Sequence, residues 1–281
     1  MIIDFHTHVF PKPFREDRGA RFSGEPAFAS LYASSGAGLI GASELLDAMD
    51  RHGIQRAVIF GFPWEGAENY RRNNDYILEA VQRHPDRLTG FCCFSPLAED
   101  APREAERCLS AGMSGVGELA VYGKGLSRRT TDALKDVMAV CARFDTPFLL
   151  HTNEPVGHAY PGKTPMTLAQ IYRFLKAYPD NRIILAHWGG GLFFYALMKK
   201  EVRDVLKNVW VDTAASPFLY TPEVYRIAGE IVGFDKILFG SDFPLIPPDR
   251  YFREMTASGI TPRSIDMIKG LNAAALLGIK E

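Results

Sequence analysis

The sequence is poor in cysteine and has no excess of charge of either sign. Its 281 residues include four cysteines, 32 basic residues (Lys and Arg) and 33 acidic residues, which gives a formal net charge of −1. So few cysteines exclude a small disulfide-stapled scaffold, and Cys92 and Cys93 are adjacent rather than in a metal-binding spacing. The balanced charge provides no overall cationic field of the kind that binds DNA, RNA or anionic membranes. We therefore expect reduced thiols and no nucleic-acid partner.

Long hydrophobic runs are also missing. The longest apolar stretch, residues 183–198, is interrupted by His187 and three consecutive glycines. A membrane-spanning helix needs about 20 mostly apolar residues, so this stretch does not fit one. The first residues, MIIDFHTH, lack the basic and extended apolar parts of a secretory signal. The sequence therefore predicts a cytoplasmic protein without a membrane partner.

What the sequence does contain is a regular alternation of strand-like and helix-like segments. Eight short runs rich in apolar and β-branched residues predict strands, at 2–8, 56–61, 88–94, 115–121, 147–152, 182–187, 208–213 and 236–240. Apolar residues at helical spacing predict helices between them, for example at 43–52, 70–84 and 131–144. This alternation is typical of a parallel sheet. Eight units favour a (β/α)₈ TIM barrel, a single domain over residues 1–281, and no GxGxxG motif supports an open doubly wound sheet.

Two connections are longer than the repeat requires. Residues 10–42 follow the first predicted strand and residues 153–165 follow the fifth. Both leave the carboxyl ends of strands, where barrels build their active sites, and long loops in compact domains are usually functional. We therefore predict that they form the walls of a substrate site. Residues 261–279 begin with a helix-start signal and are predicted to form the packing helix after strand eight.

Residues with metal-ligand chemistry cluster at the ends of predicted strands. In the DFHTH segment of strand one, His6 and His8 share a face because side chains alternate along a strand. Two imidazoles about 6.6 to 6.8 Å apart along the backbone can converge on one cation. Four more ligand-type residues end other strands: Glu118, His151, His187 and Asp242. One such residue is more often structural, but six at one rim of a barrel indicate a metal site, because buried polar groups need partners.

This pattern resembles the amidohydrolase superfamily, and specifically the branch that groups aminocarboxymuconate semialdehyde decarboxylase with TatD-like hydrolases. The resemblance covers essentially the whole chain and is carried by DFHTH, by His151 and His187 after strands five and six, and by GSDFP at 240–244. It implies a divalent metal, usually zinc, and a small-molecule substrate activated on that metal.

The resemblance leaves the number of metal ions open. Members with two metals often bridge them with a carboxylated lysine from strand four, but Glu118 stands there, as in TatD-like members. Decarboxylase-like members hold one metal with the strand-one pair, the strand-five histidine and the strand-eight aspartate, which leaves His187 to orient the substrate. Glu118 is therefore either a ligand, a structural carboxylate or an acid that contacts the substrate.

We expect a metal-dependent hydrolase that cleaves an amide, ester or lactone bond. Asp242 is the expected general base, and His187 is expected to stabilise negative charge or to ligate a second ion. A metal-dependent decarboxylase of a small carboxylic acid is the alternative, since it would use nearly the same residues. A barrel without activity is disfavoured by the complete ligand set, and a TatD-like nuclease by the balanced charge. The substrate stays open, and a homo-oligomer is compatible with the sequence.

Overall fold

Eight parallel strands form the centre of the molecule, in the order β1 to β8. The computed structural model describes residues 1–34, 36–123 and 125–279. The strands are β1 (Ile3–His8), β2 (Arg56–Phe60), β3 (Leu88–Cys92), β4 (Gly115–Leu119), β5 (Phe148–Leu150), β6 (Ile183–Leu185), β7 (Val209–Asp212) and β8 (Ile237–Leu238). All eight predicted strands are confirmed, each slightly shorter than the apolar run that predicted it.

Backbone hydrogen bonds join the first strand to the last and close the barrel. The amide of Phe5 donates to the carbonyl of Phe239 at 2.7 Å, and the amide of Asp242 donates to the carbonyl of His6 at 2.9 Å. Thr7 and Phe243 form a parallel bridge between the same two segments. The predicted (β/α)₈ barrel is therefore confirmed, and the open sheet is excluded.

Helices connect successive strands on the outside of the barrel. They are α1 (Lys12–Glu16), α2 (Pro26–Tyr32), α3 (Ala42–His52), α4 (Ala67–Arg83), α5 (Ala101–Ser110), α6 (Arg128–Ala133), α7 (Lys135–Arg143), α8 (Leu168–Ala177), α9 (Lys200–Val205), α10 (Ser216–Leu219), α11 (Glu223–Val232), α12 (Pro248–Ala257), α13 (Pro262–Asp266) and α14 (Asn272–Leu277). Shorter 3₁₀ segments lie at Gly19–Arg21, His187–Leu197 and Phe234–Lys236, and a π turn lies at Met267–Leu271.

Two predicted helices are divided in the structure. The segment predicted at 131–144 forms α6 and α7, which meet at Leu134. The closing segment forms α13 and α14 on either side of the π turn, where Gly270 packs against the backbone of Met1. A side chain at Gly270 would lie 2.4 Å from the Met1 carbonyl, so this close approach requires glycine.

The four cysteines are free and buried, as predicted. Among the helices that the structure describes, none combines the length and apolar character needed to cross a membrane.

Candidate metal centre

The six predicted ligand residues meet at the carboxyl end of the barrel. β1 and β4 carry three of them, and the other three lie in the segments that leave the carboxyl ends of β5, β6 and β8. Their nitrogen and oxygen atoms form three overlapping groups within 4.8 Å: His6, His8 and Glu118; His6, His187 and Asp242; Glu118, His151 and His187. The parallel order of the strands explains this convergence, because it brings residues far apart in the sequence to one rim.

Three of the histidines are held from outside and point their Nε2 atoms inward. The Nδ1 atom of His6 lies 2.8 Å from Asp212 Oδ2, that of His8 lies 2.9 Å from the Gly61 carbonyl, and that of His187 lies 2.9 Å from the Ala214 carbonyl. Outer hydrogen bonds of this kind orient metal-binding histidines in proteins. The Nε2 of His6 is buried and has no hydrogen-bond partner within the described chain, so a cation fits this position.

His151 is arranged differently from the other three. Its Nδ1 lies 2.9 Å from Glu118 Oε1, and its Nε2 lies 3.1 Å from the carbonyl of Gly162 on the long loop after β5. Both ring nitrogens therefore have protein partners. His151 can ligate an ion only after giving up one of these contacts.

The two carboxylate oxygens of Glu118 face different histidines. Oε2 lies 3.7 Å from His6 Nε2 and 3.8 Å from His8 Nε2, whereas Oε1 lies 3.4 Å from His187 Nε2. Asp242 Oδ1 lies 3.4 Å from His8 Nε2 and 3.6 Å from His6 Nε2. Glu118 therefore lies at the centre of the cluster, and Asp242 lies beside the strand-one pair.

The electrostatics of the cluster also favour a bound cation. Burial alone would lower the pKa of His6 and His187, but Glu118 and the neighbouring aspartates raise these pKa values to about 10 and about 9. Burial would raise the pKa of Asp242, but the hydrogen bond from His8 and the charges of His6 and His187 lower it to about 2. The buried carboxylates thus attract positive charge, which a divalent ion can supply in place of the histidine protons.

A left-handed turn places His187 at the rim. Five consecutive residues, 187–191, have φ between +55° and +87°. A side chain at Gly190 would lie 2.4 Å from the Asn153 carbonyl, so the turn packs tightly against the segment after β5. Trp188 is fully buried and donates its Nε1 hydrogen to Ser216 at 2.8 Å. It is a packing residue and does not line the cavity described below.

Two buried aspartates that the sequence analysis missed support the cluster. Asp212 ends β7; besides holding His6, its Oδ1 accepts the amide of His187 at 2.9 Å. Asp4 accepts the amide of Ser241 at 2.9 Å and so fixes the turn that carries Asp242. Asp212 had the same signal as the predicted ligands, since it is a carboxylate at the end of the apolar strand VWVD. Asp4 precedes the strand-one histidines directly and had no separate signal.

The cluster opens into a cavity of about 790 Å³. Both long loops line it, as predicted, and most of the wall is apolar or aromatic: Leu31, Tyr32, Phe62, Tyr122, Val156, Phe218, Leu219, Pro244 and Leu245. Glu118, Glu154 and Asp242 are its acidic residues. Lys163, on the long loop after β5, donates to Glu154 Oε1 at 2.6 Å. A cavity of this size and character suits a small, partly apolar molecule with a few polar groups.

Known proteins resemble this chain along most of its length. A curated γ-resorcylate decarboxylase from Polaromonas sp. is 28% identical over 251 residues, which cover 70% of this chain and 74% of the relative. The fold is shared with a dihydroxybenzoic acid decarboxylase from Polaromonas sp., solved with manganese and the inhibitor 2-nitroresorcinol, at a TM-score of 0.71 and 22% identity over 100% and 97% of the two chains. It is also shared with a 5-carboxyvanillate decarboxylase from Sphingomonas paucimobilis, at a TM-score of 0.79 and 16% identity over 100% and 99%.

These relatives correct the expected activity. The sequence analysis favoured a hydrolase, but the similar proteins are decarboxylases, so the hydrolase prediction is wrong. The physical reason for the error is that the strand-end ligands are common to both chemistries and do not determine which bond breaks. A family model described as amidohydrolase matches residues 3–279. The chain therefore belongs to the amidohydrolase family.

Proposed function

We propose that this protein is a metal-dependent decarboxylase of a small aromatic hydroxy acid. One observation carries the proposal. Three histidines are held through their Nδ1 atoms by groups outside the cluster, and their Nε2 atoms face Glu118 and Asp242 at the base of a largely apolar cavity. The γ-resorcylate decarboxylases that resemble the chain support the reaction and the class of substrate.

We propose that His6, His8 and Asp242 bind the ion directly and that the Glu118 carboxylate lies next to them. A bound divalent cation would supply the positive charge that holds the substrate oxygens and stabilises electron density on the ring during the reaction. The family resemblance implies zinc, and manganese is the ion bound to the similar dihydroxybenzoic acid decarboxylase, so both are to be tested.

Decarboxylation requires one proton at the ring carbon that carries the carboxylate. Asp242 and His187 both line the cavity next to the histidine cluster. The pKa of Asp242 is lowered to about 2, which keeps this carboxylate ionised. Before a cation binds, Glu118 and Asp242 raise the pKa of His187 to about 9, so the imidazole is the better proton carrier of the two groups. We therefore assign His187 as the proton donor to the ring carbon and Asp242 as a ligand that accepts hydrogen bonds. The carbon–carbon bond then breaks, its electrons return to the ring, and CO₂ leaves.

Metal dependence tests this proposal. The protein is treated with a chelator, divided, and reloaded with Mn²⁺, with Zn²⁺ or with buffer alone, and CO₂ release from γ-resorcylate is measured. We expect release only in the reloaded samples. Equal release from the chelated sample would contradict a metal-dependent reaction.

A further inference from the structure

The basic residues that line the cavity are histidines: His8, His151, His158 and His187. Among the described residues that line it, none is lysine or arginine. Lys163 lies nearby, but its Nζ donates to Glu154 Oε1 and to the Val156 carbonyl, both at 2.6 Å. The anionic group of a substrate is therefore held by the cation site with its histidines and by neutral donors on the wall.

Two tyrosine hydroxyls on the wall are available for this purpose. Tyr32, from the first long loop, and Tyr122, after β4, both line the cavity, and neither hydroxyl makes a hydrogen bond within the described chain. Their rings are fixed on either side of Phe62: Tyr122 stacks on it at 5.8 Å with an interplanar angle of 13°, and Tyr32 meets it edge to face at 6.0 Å. Tyr122 also packs against His151 at 5.8 Å.

The two hydroxyls are donors rather than phenolates. Burial raises the pKa of each, and the charges of Glu118 and Asp242 raise it further. Both tyrosines line the same cavity as Glu118 and Asp242, and the ring of Tyr122 packs against His151 of the cluster. A neutral phenol beside two carboxylates can donate to a bound anion and gains nothing from losing its proton.

Building on the proposed function, we propose that Tyr32 and Tyr122 bind the anionic group of the substrate, and that the cavity selects aromatic monocarboxylates over aromatic dicarboxylates. One divalent ion balances the charges of Glu118 and Asp242, and Lys163 balances Glu154. One substrate carboxylate is then held by the ion and the two hydroxyls. A second carboxylate would meet a mostly apolar wall and Glu154, whose Lys163 partner is already paired. Among the described lining residues, only the exposed imidazole of His158 is a basic group outside the cluster, so a second carboxylate would be costly to remove from water.

Binding to the manganese-loaded protein tests the inference. Calorimetric titration with γ-resorcylate, a monocarboxylate, and with 5-carboxyvanillate, a dicarboxylate, should show at least about 10-fold tighter binding of γ-resorcylate. Tyr32→Phe and Tyr122→Phe should each weaken γ-resorcylate binding about 10-fold, because a hydrogen bond to a charged group is lost while the ring is kept. Tyr172→Phe is the matched control, since its hydroxyl bonds Glu201 on the outside of the barrel and its loss should leave binding unchanged.

A fourth variant tests the charge argument separately. Glu154→Gln removes the partner of Lys163 and leaves its ammonium group next to the cavity. We expect this variant to bind 5-carboxyvanillate about 10-fold more tightly than the wild type does, with a smaller change for γ-resorcylate.

The outcomes separate the inference from the proposed function. Unchanged γ-resorcylate affinity in both cavity tyrosine variants, at equal manganese content, would overturn the role of the hydroxyls. Equal affinity of the wild type for the two acids, or binding of neither, would overturn the proposed selectivity. If the wild type binds γ-resorcylate and loses affinity in the variants but releases no CO₂, the inference stands and the proposed function fails.

Discussion

His6 depends on Asp212 for its orientation. The contact between Nδ1 and Asp212 Oδ2 at 2.8 Å leaves Nε2 buried, unpartnered and directed toward Glu118 and Asp242. The same aspartate accepts the amide of His187. One carboxylate that is not itself a proposed ligand therefore positions residues from two strands.

Asp212→Ala should weaken binding of Mn²⁺ by about 10- to 100-fold, the usual effect of losing the outer partner of a histidine ligand. Competition with a chelator of known affinity measures the change. Asp249→Ala is the matched control, because Asp249 also bonds a histidine, His52, but in an exposed contact between α3 and α12. Unchanged affinity in Asp212→Ala would show that His6 is not a ligand that needs this support.

Metal stoichiometry tests the role of Glu118. Both nitrogens of His151 have protein partners, so the group formed by Glu118, His151 and His187 lacks a free imidazole nitrogen from His151. We therefore expect one equivalent of metal in the wild type, and Glu118→Gln should retain it with lower affinity. Elemental analysis measures the ratio. Two equivalents in the wild type, falling to one in Glu118→Gln, would instead identify Glu118 as a bridging ligand.

His187→Asn tests proton delivery without removing the metal. Asparagine tolerates the left-handed backbone of this position, where φ is +55°, better than most residues. The variant should keep its manganese and its affinity for γ-resorcylate but release CO₂ about 10² to 10⁴ times more slowly, the usual value of general acid catalysis. Asp242→Asn should by contrast also bind manganese more weakly. Near wild-type turnover in His187→Asn would show that another group carries the proton.

Residues at strand ends could be predicted as members of the candidate site. Residues that reach the cavity from within a long connection could not. His6, His8, Glu118, His151 and Asp242 all follow from strand position in a barrel, because strand ends share one rim. Tyr32 lies within a long connection, and its place on the cavity wall depends on how residues 10–42 fold back over the rim. Local sequence does not determine that path.

At the scale of elements, regular apolar patterns located the strands and helices, but they did not show where a helix is divided or where the backbone turns. The strands could be located because buried parallel strands are nearly continuous apolar runs. The division of the closing helix depends on the contact between Gly270 and the distant Met1, and the left-handed turn after β6 depends on Asn153. Contacts between segments far apart in the sequence leave no periodic signal.

Gly190→Ala should destabilise the protein and displace His187. A methyl group there would lie 2.4 Å from the Asn153 carbonyl, and the φ of +61° would also strain the backbone of an alanine. Left-handed backbone costs a non-glycine residue about 1 to 2 kcal/mol, and the clash adds to this. Gly24→Ala is the control, since its φ is +77° but no atom lies within 4 Å of the added group. Thermal unfolding of both variants measures the difference, and equal losses would show that the contact with Asn153 has no effect.

At the scale of the whole molecule, a nearly neutral protein contains a concentrated acidic centre. The net charge of −1 does not reveal the buried carboxylates of Glu118 and Asp212 and the partly buried carboxylate of Asp242, which lie together at one rim of the barrel. Composition gave no reason to expect a nucleic-acid partner, but it could not reveal this local imbalance, because the three residues are far apart in the sequence. The barrel brings them together, and the choice between hydrolysis and decarboxylation came from the relatives rather than from the ligand pattern.

Product analysis in D₂O tests the central claim most directly. The manganese-loaded protein is incubated with γ-resorcylate, and the products are followed by NMR together with CO₂ release. A decarboxylase that delivers one solvent-derived proton to the ring predicts one CO₂ and one 1,3-dihydroxybenzene per substrate consumed, with one deuterium at the carbon that carried the carboxylate. Substrate recovered unchanged, or consumed without release of CO₂, would contradict the account.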